Sequence, residues 1–242
     1  MKTKFSKKFI IVVIAWIFYP LLYAQQSDTL FIQRNEKGKI AFARFKVNEN
    51  SDRKMENDVV FLKSVLNTKD GYEFRLKSET TDNLGITHRR YQQFFRGIKV
   101  DNAEYLLHGR AGNIEEINGD FQEIGIESVK PIINEQQALS IALKYVNAEK
   151  YKWQDETMEK FIKQHFKDPN ATYYPHGELV IAEDNLKGSH SFKLSWQFTI
   201  ASLKPNNEQI IFVDANNGLV IRDIPLMLSA VGTAETLYRA CC

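Results

Sequence analysis

Apolar residues in this chain recur mostly at every second position, the period of a strand with one buried face. The clearest run is Phe192, Leu194, Trp196, Phe198 and Ile200, alternating with Lys193, Ser195, Gln197 and Thr199. That pattern predicts one buried and one wet face. Ile210 to Asp214 and Leu219 to Ile224 flank Ala215-Asn216-Asn217-Gly218, the turn chemistry of a hairpin. Earlier, Tyr72 to Ile126 reads as an antiparallel meander. Ile86 to Phe95 forms one strand, Gly97 breaks it, and Ile98 to Val100 and Ala103 to His108 follow. Turns are expected at Arg110-Ala111-Gly112 and Asn118-Gly119, on either side of Ile114 to Ile117. Lys39 to Val47 predicts a further strand through Ile40, Phe42 and Phe45.

Helical spacing appears in three places. Asn57 or Asp58 is placed to cap a short helix over Val59 to Leu66, with Val59, Leu62 and Leu66 on one side. Asn134 with Gln137 three residues on is a capping-box pattern, followed by Ala138, Ala142, Tyr145 and Val146 on one face. A third helix is expected from near Asp155, with Met158, Phe161, Ile162 and Phe166 together, stopped at Asp168-Pro169-Asn170. Helices interleaved with meanders predict an α+β fold of two tandem lobes, each an antiparallel β-meander packed with one or two helices.

Composition refines the picture at the ends. Lys2, Lys4, Lys7 and Lys8 precede an uncharged stretch from Phe9 to Leu22, and no acidic residue occurs before Asp28. That stretch is shorter than the ~20 residues of a membrane span. Residues 1–24 are therefore expected to be a signal peptide cleaved between Ala24 and Gln25, leaving a secreted or periplasmic protein with no stable membrane anchor. With those lysines removed the chain is slightly acidic, which disfavours nucleic acid as a partner. The only cysteines, Cys241 and Cys242, are adjacent at the C-terminus, so no disulfide framework is expected in the folded body.

No catalytic constellation stands out. His88, His108, His165, His176 and His190 include no pair three to five apart, and none begins an H-E-x-x-H. No phosphate-binding glycine loop or G-x-S-x-G elbow appears. No catalytic residue, no metal ligand and no cofactor are expected in this chain. His88 and His108 fall on predicted strands. They read either as a zinc or pH-sensing pair or as strand histidines bonded across the sheet, and the spacing favours the second. Strand alternation sends Arg89 away from His88 and Arg90, so a solvated or cross-strand-paired role is expected for the arginines.

The run from Leu84 to Gly119 contains His88, Arg90, Tyr91, Gln92, Gln93, Phe95, Gly97, Val100, His108, Gly112, Asn118 and Gly119. Their order and spacing resemble the fungalysin/thermolysin propeptide domain. Pro131 to Val146, Thr172 to Val180, Leu194 to Phe198 and Val213 to Val220 are similar to a second, PepSY-type propeptide lobe. Gly232 to Tyr238 resembles the first strand of the catalytic domain in that family. The resemblance implies a signal peptide at 1–24, a propeptide-type lobe at 25–128, a PepSY-like lobe at 129–228 and a junction remnant at 229–242.

By that resemblance the chain is expected to be the propeptide of a secreted thermolysin-like metallopeptidase, a folding aid and inhibitor of the protease, but no enzyme itself. Zinc would belong to the catalytic domain, which would be the partner in cis, or in trans here. After Tyr238 the sequence departs from the family, which is expected to reflect a truncated or frameshifted gene, a fragment, or a stand-alone propeptide. A free inhibitor of thermolysin-like proteases and a cell-envelope binding module are the alternatives. Pro225, Leu226, Met227 and Leu228 are the candidate protease-facing or cleavage segment.

Overall fold

The alternating run ending at Ile200 extends into the longest strand of the second half, within a computed structural model that describes residues 29–46, 53–185 and 191–226. The signal peptide and its Ala24–Gln25 bond, Val47, His190, Met227, Leu228, the junction segment and both cysteines lie outside the described residues.

The first meander contains β1 (Thr29–Arg34), β2 (Ile40–Phe45), β3 (Tyr72–Thr81), β4 (Ile86–Phe95), β5 (Ile98–Arg110) and β6 (Asn113–Gly119). They pair antiparallel in the order β1-β2-β6-β5-β4-β3. Helix α1 (Asp58–Val65) lies between β2 and β3 in the chain and buries Leu62. Tyr72, Phe74, Tyr91, Tyr105, Leu107, Ile117 and Phe121 build the core beside it.

Helix α2 (Glu135–Val146), the short β7 (Lys150–Tyr151) and α3 (Glu156–Phe166) come next in the chain. The second meander is β8 (Glu178–Glu183), β9 (Phe192–Lys204), β10 (Asn207–Asp214) and β11 (Val220–Pro225), hydrogen-bonded in chain order. The two meanders are one continuous sheet. Lys99 and Val100 of β5 pair in parallel with Val180 and Ile181 of β8. The α+β architecture is as expected, and the shared sheet is what the sequence pattern did not reveal.

Local chemistry explains most of the element ends. The capping box of α2 forms as expected: Asn134 Oδ1 accepts from the Gln137 N–H, and Gln137 Oε1 accepts from the Asn134 N–H, both at 2.9 Å. Arg96-Gly97 and Ala111-Gly112 have positive φ, at 48° and 81° and at 47° and 77°, the geometry of tight hairpins. In the β10–β11 turn Gly218 has φ 75° and Asp214 Oδ1 accepts from the Asn216 N–H.

Five expectations are corrected. Asn118-Gly119 is not a turn but the end of β6, and neither residue has positive φ. Gly119 is needed for close approach, since a Cβ there would lie 2.3 Å from the Glu104 carbonyl oxygen. Gly119→Ala should therefore destabilise the chain by about 1–3 kcal/mol, the range for overpacking. Urea unfolding measures it, and an unchanged midpoint would contradict this packing.

Neither Asn57 nor Asp58 caps α1 in the expected way. Asn57 makes no side-chain cap bond, and Asp58 is drawn toward β4. On α2, Leu139 rather than Tyr145 joins Ala138 and Ala142 in the core. Tyr145 is exposed, and its hydroxyl donates to Asp223 at 2.9 Å. Helix α3 buries none of its residues, and Phe161 and Phe166 face solvent. The second face of β9 is not wet throughout, because Ser195 and Ala201 are buried. Val180, Ala182, Phe212 and Ile221 pack as a separate apolar cluster on the neighbouring strands.

Candidate functional site

Residues of the sequence motif gather on and around β4 and β5, where cross-strand pairing brings together positions twenty apart. Most of them hold the sheet in shape. Gln92 Nε2 donates to the carbonyls of Val100 at 2.6 Å and Ala103 at 3.0 Å. It thereby fastens the irregular stretch of β5 in which Asn102 has φ 55°. Gln93 is fully buried and behaves like a backbone unit. Its Nε2 donates to the Gln122 carbonyl at 2.7 Å, and its Oε1 accepts from the Gln122 N–H at 3.0 Å. Val100, also fully buried, sits where β5 meets β8. Gly97 and Gly112 serve the two tight turns.

The arginines separate as strand alternation requires. Arg90 Nη1 reaches Glu104 at 2.6 Å, and Lys77 holds the other Glu104 oxygen at 2.5 Å. Burial opposes ionisation of Glu104, but the two cations hold its carboxyl below the usual range. Arg89 points to the opposite side, where its guanidinium bonds Asp58 at 2.5 Å, Glu79 at 2.5 Å and the Met55 carbonyl. Tyr91 donates its hydroxyl to the same Asp58 oxygen. Burial disfavours the charged guanidinium, yet the bonds to Asp58 and Glu79 outweigh it and raise Arg89 further. Burial and then the Asp58 charge push the Tyr91 hydroxyl well above the usual phenol range. The expected cross-strand role fits both arginines, Arg90 through Glu104 of β5 and Arg89 through Glu79 of β3, and Arg89 also ties the sheet to α1.

The two strand histidines form the most unusual group. His88 and His108 are directly opposed, with Nδ1 to Nδ1 at 2.6 Å. His88 Nε2 faces Asp82 Oδ2 at 3.3 Å, and His108 Nε2 faces Asn118 Oδ1 at 2.8 Å. Each outer nitrogen thus faces a side-chain oxygen. Only one hydrogen fits between the inner nitrogens. Asp82 is held below the usual carboxylate range chiefly by the Ile86 N–H, with burial opposing and His88 assisting.

Besides Asp82, the acidic groups beside the pair are Glu115 and Glu116 of β6. Glu116 is already held by Arg44 at 2.6 Å. Asp82 makes the stability depend on pH. Its depressed carboxyl contributes stability above the ordinary carboxylate range, and that contribution is lost as the group protonates in acid.

The sequence motif missed Asp58, Asp82, Glu104 and Gln122, because their partners lie from 6 to 33 positions away. Their one sequence signal is that they occur near the motif as acids or amides. Pro225 and Leu226 lie at the end of β11, with the Leu226 N–H donating to the Glu208 carbonyl at 2.7 Å and its side chain exposed. They lie apart from the histidine row. Among the described residues no group of three His, Cys, Asp or Glu is placed to hold a metal ion. Nor, among them, is any helix long and apolar enough to cross a membrane.

Residues 72–121 match the family described as the Fungalysin/Thermolysin Propeptide Motif. The match spans β3 to β6 and the start of the connector after them, so the stretch carrying the histidines and glutamines is a propeptide motif rather than a catalytic one. A solved structure, the Bacillus megaterium YpeB C-terminal domain, is similar over 81% of this chain and 76% of that chain. The identity is 12% and the TM-score 0.33, too low to carry an argument.

Proposed function

With the propeptide motif at residues 72–121 as the observation that carries it, we propose that this chain is the propeptide region of a secreted thermolysin-like metallopeptidase. It acts there as folding aid and inhibitor, without chemistry of its own. The partner is the thermolysin-like catalytic domain, which supplies the zinc and its ligands. Binding that domain in its folded form stabilises it by mass action, and contacts made early also lower the folding barrier. Covalent linkage would strengthen both effects through a high effective concentration, commonly millimolar for a short tether.

A sheet whose motif residues are spent on internal bonds suits such a role, because a rigid surface loses little entropy on docking. The exposed Leu226 favours the segment from Pro225 to Leu228 as the part that meets the protease cleft. The test is a titration of the purified chain against a thermolysin-like catalytic domain, following peptide hydrolysis and recovery of activity after denaturation. Inhibition at tens of micromolar or tighter is expected, with faster or fuller refolding. Leu226→Asp should weaken inhibition while leaving the fold unchanged. Neither inhibition nor improved refolding at that concentration would overturn the reading.

A further inference from the structure

A cleft of about 730 Å³ lies between the two meanders, within the size range of ligand pockets. One wall is the turn between β1 and β2, with Lys37 and Lys39. The other is the start of β9, with Phe192 and Lys193, and the connector from Phe121 to Ser128 runs along it. The connector belongs to no strand.

Alternate N–H groups of the connector are used on its inner side. The Gln122 N–H donates to Gln93 Oε1 and the Ile124 N–H to the Tyr72 hydroxyl at 2.7 Å. The N–H groups of Glu123 and Gly125, which alternate with them, have no hydrogen-bond partner among the described residues. Glu123 and Gly125 both line the cleft and are exposed, and nothing lies within 4 Å of where a Gly125 Cβ would stand. The connector thus offers two open N–H groups, at Glu123 and Gly125, to an added strand.

The cleft lining holds Lys37, Lys39 and Lys193 against Glu123 and Glu127. Lys39 at 3.0 Å and Lys69 at 3.7 Å both serve Glu123. Lys37 stands 5.9 Å from the Phe192 ring centroid and donates to Gln122 Oε1 at 3.4 Å, and neither Lys37 nor Lys193 has a carboxylate partner among the described residues. Phe192 and Ile126 are half-buried and give the cleft apolar walls.

We propose that this cleft binds an extended peptide segment with alternating aliphatic and acidic side chains, added as a strand along Gln122 to Ile126. The peptide backbone bonds the open groups of Glu123 and Gly125. Its aliphatic side chains pack on Phe192 and Ile126, and its carboxylates meet Lys37 and Lys193. This goes beyond the propeptide reading and does not depend on inhibition of a protease.

The experiment uses the full chain and a labelled, end-blocked hexapeptide of alternating valine and glutamate, followed by fluorescence anisotropy. A valine–lysine hexapeptide is the counter-probe. Saturable binding of the acidic peptide is expected, together with slower hydrogen exchange at the Glu123 and Gly125 amides. Lys37→Glu with Lys193→Glu should weaken binding about tenfold or more, the effect of losing roughly 1.4 kcal/mol. Gly125→Pro removes an open donor and should also weaken it; if that variant misfolds by circular dichroism, amide exchange on the parent chain decides. Equal binding of the lysine peptide, an unaffected double variant, unchanged exchange at both amides, or no saturable binding would each overturn the proposal. None of these outcomes bears on protease inhibition, which is measured separately.

Discussion

Asp58→Ala is expected to destabilise the protein by about 3 kcal/mol, at the lower end of the range for breaking a buried ion pair. Asp58 is only 6% exposed, and its carboxylate accepts from Arg89, from the Tyr91 hydroxyl and from the Val59 N–H. Alanine leaves the Tyr91 hydroxyl and the Val59 N–H unmet and takes one acceptor from Arg89. Arg89 keeps Glu79 and is partly exposed, which places the cost at the lower end. Because Asp58 begins α1 while Arg89 and Tyr91 lie on β4, the loss should loosen the helix from the sheet. Asp58→Asn keeps the shape and one acceptor oxygen, so it should cost less. Urea unfolding followed by circular dichroism gives both values. A change below about 1 kcal/mol for Asp58→Ala would mean that the carboxylate is solvated in the native protein.

Phe198→Ala is expected to cost about 3–5 kcal/mol, the range for deleting a large buried aromatic ring. Phe198 is fully buried on β9, opposite Ile211 of β10, and packs with Ala138, Leu139 and Ala142 of α2. Its ring edge lies 2.7 Å from where a Gly177 Cβ would stand, so the backbone on that side is already drawn in close. The void left by alanine has little freedom to close. Trp196→Ala should cost less, because Trp196 is half-buried, although it also loses the bond from its Nε1 to the Ile133 carbonyl. Thermal and urea unfolding of the two variants test the ranking. A larger loss for Trp196→Ala would place the centre of the second core nearer the connector than nearer α2.

What was legible in the sequence is what depends on near neighbours. The capping box of α2 needs only Asn134 and Gln137, one helical turn apart. The hairpins at Arg96-Gly97, Ala111-Gly112 and Gly218 need residues that tolerate positive φ, and those residues mark themselves. Strand alternation fixed which side Arg89 and Arg90 take. It also put Leu194, Phe198 and Ile200 on the buried face of β9.

Tertiary structure decided everything that depends on the strand brought alongside. Asn118-Gly119 carries turn chemistry, but the Glu104 carbonyl next to it makes glycine a requirement of packing instead. Ser195 sits at a position that alternation marks as wet, yet neighbouring strands cover it. Phe161 and Phe166 have the spacing of a buried helix face, but both stay more than half exposed, with His165 of the same helix beside them. His88 and His108 are twenty positions apart, and only the register of β4 on β5 brings their Nδ1 atoms together. Period and turn chemistry are properties of a few adjacent residues, so the sequence states them outright. Register, and the joining of β5 to β8 at Lys99 and Val100, depend on which distant surfaces bury most apolar area while pairing every polar group, and only the folded chain resolves that choice.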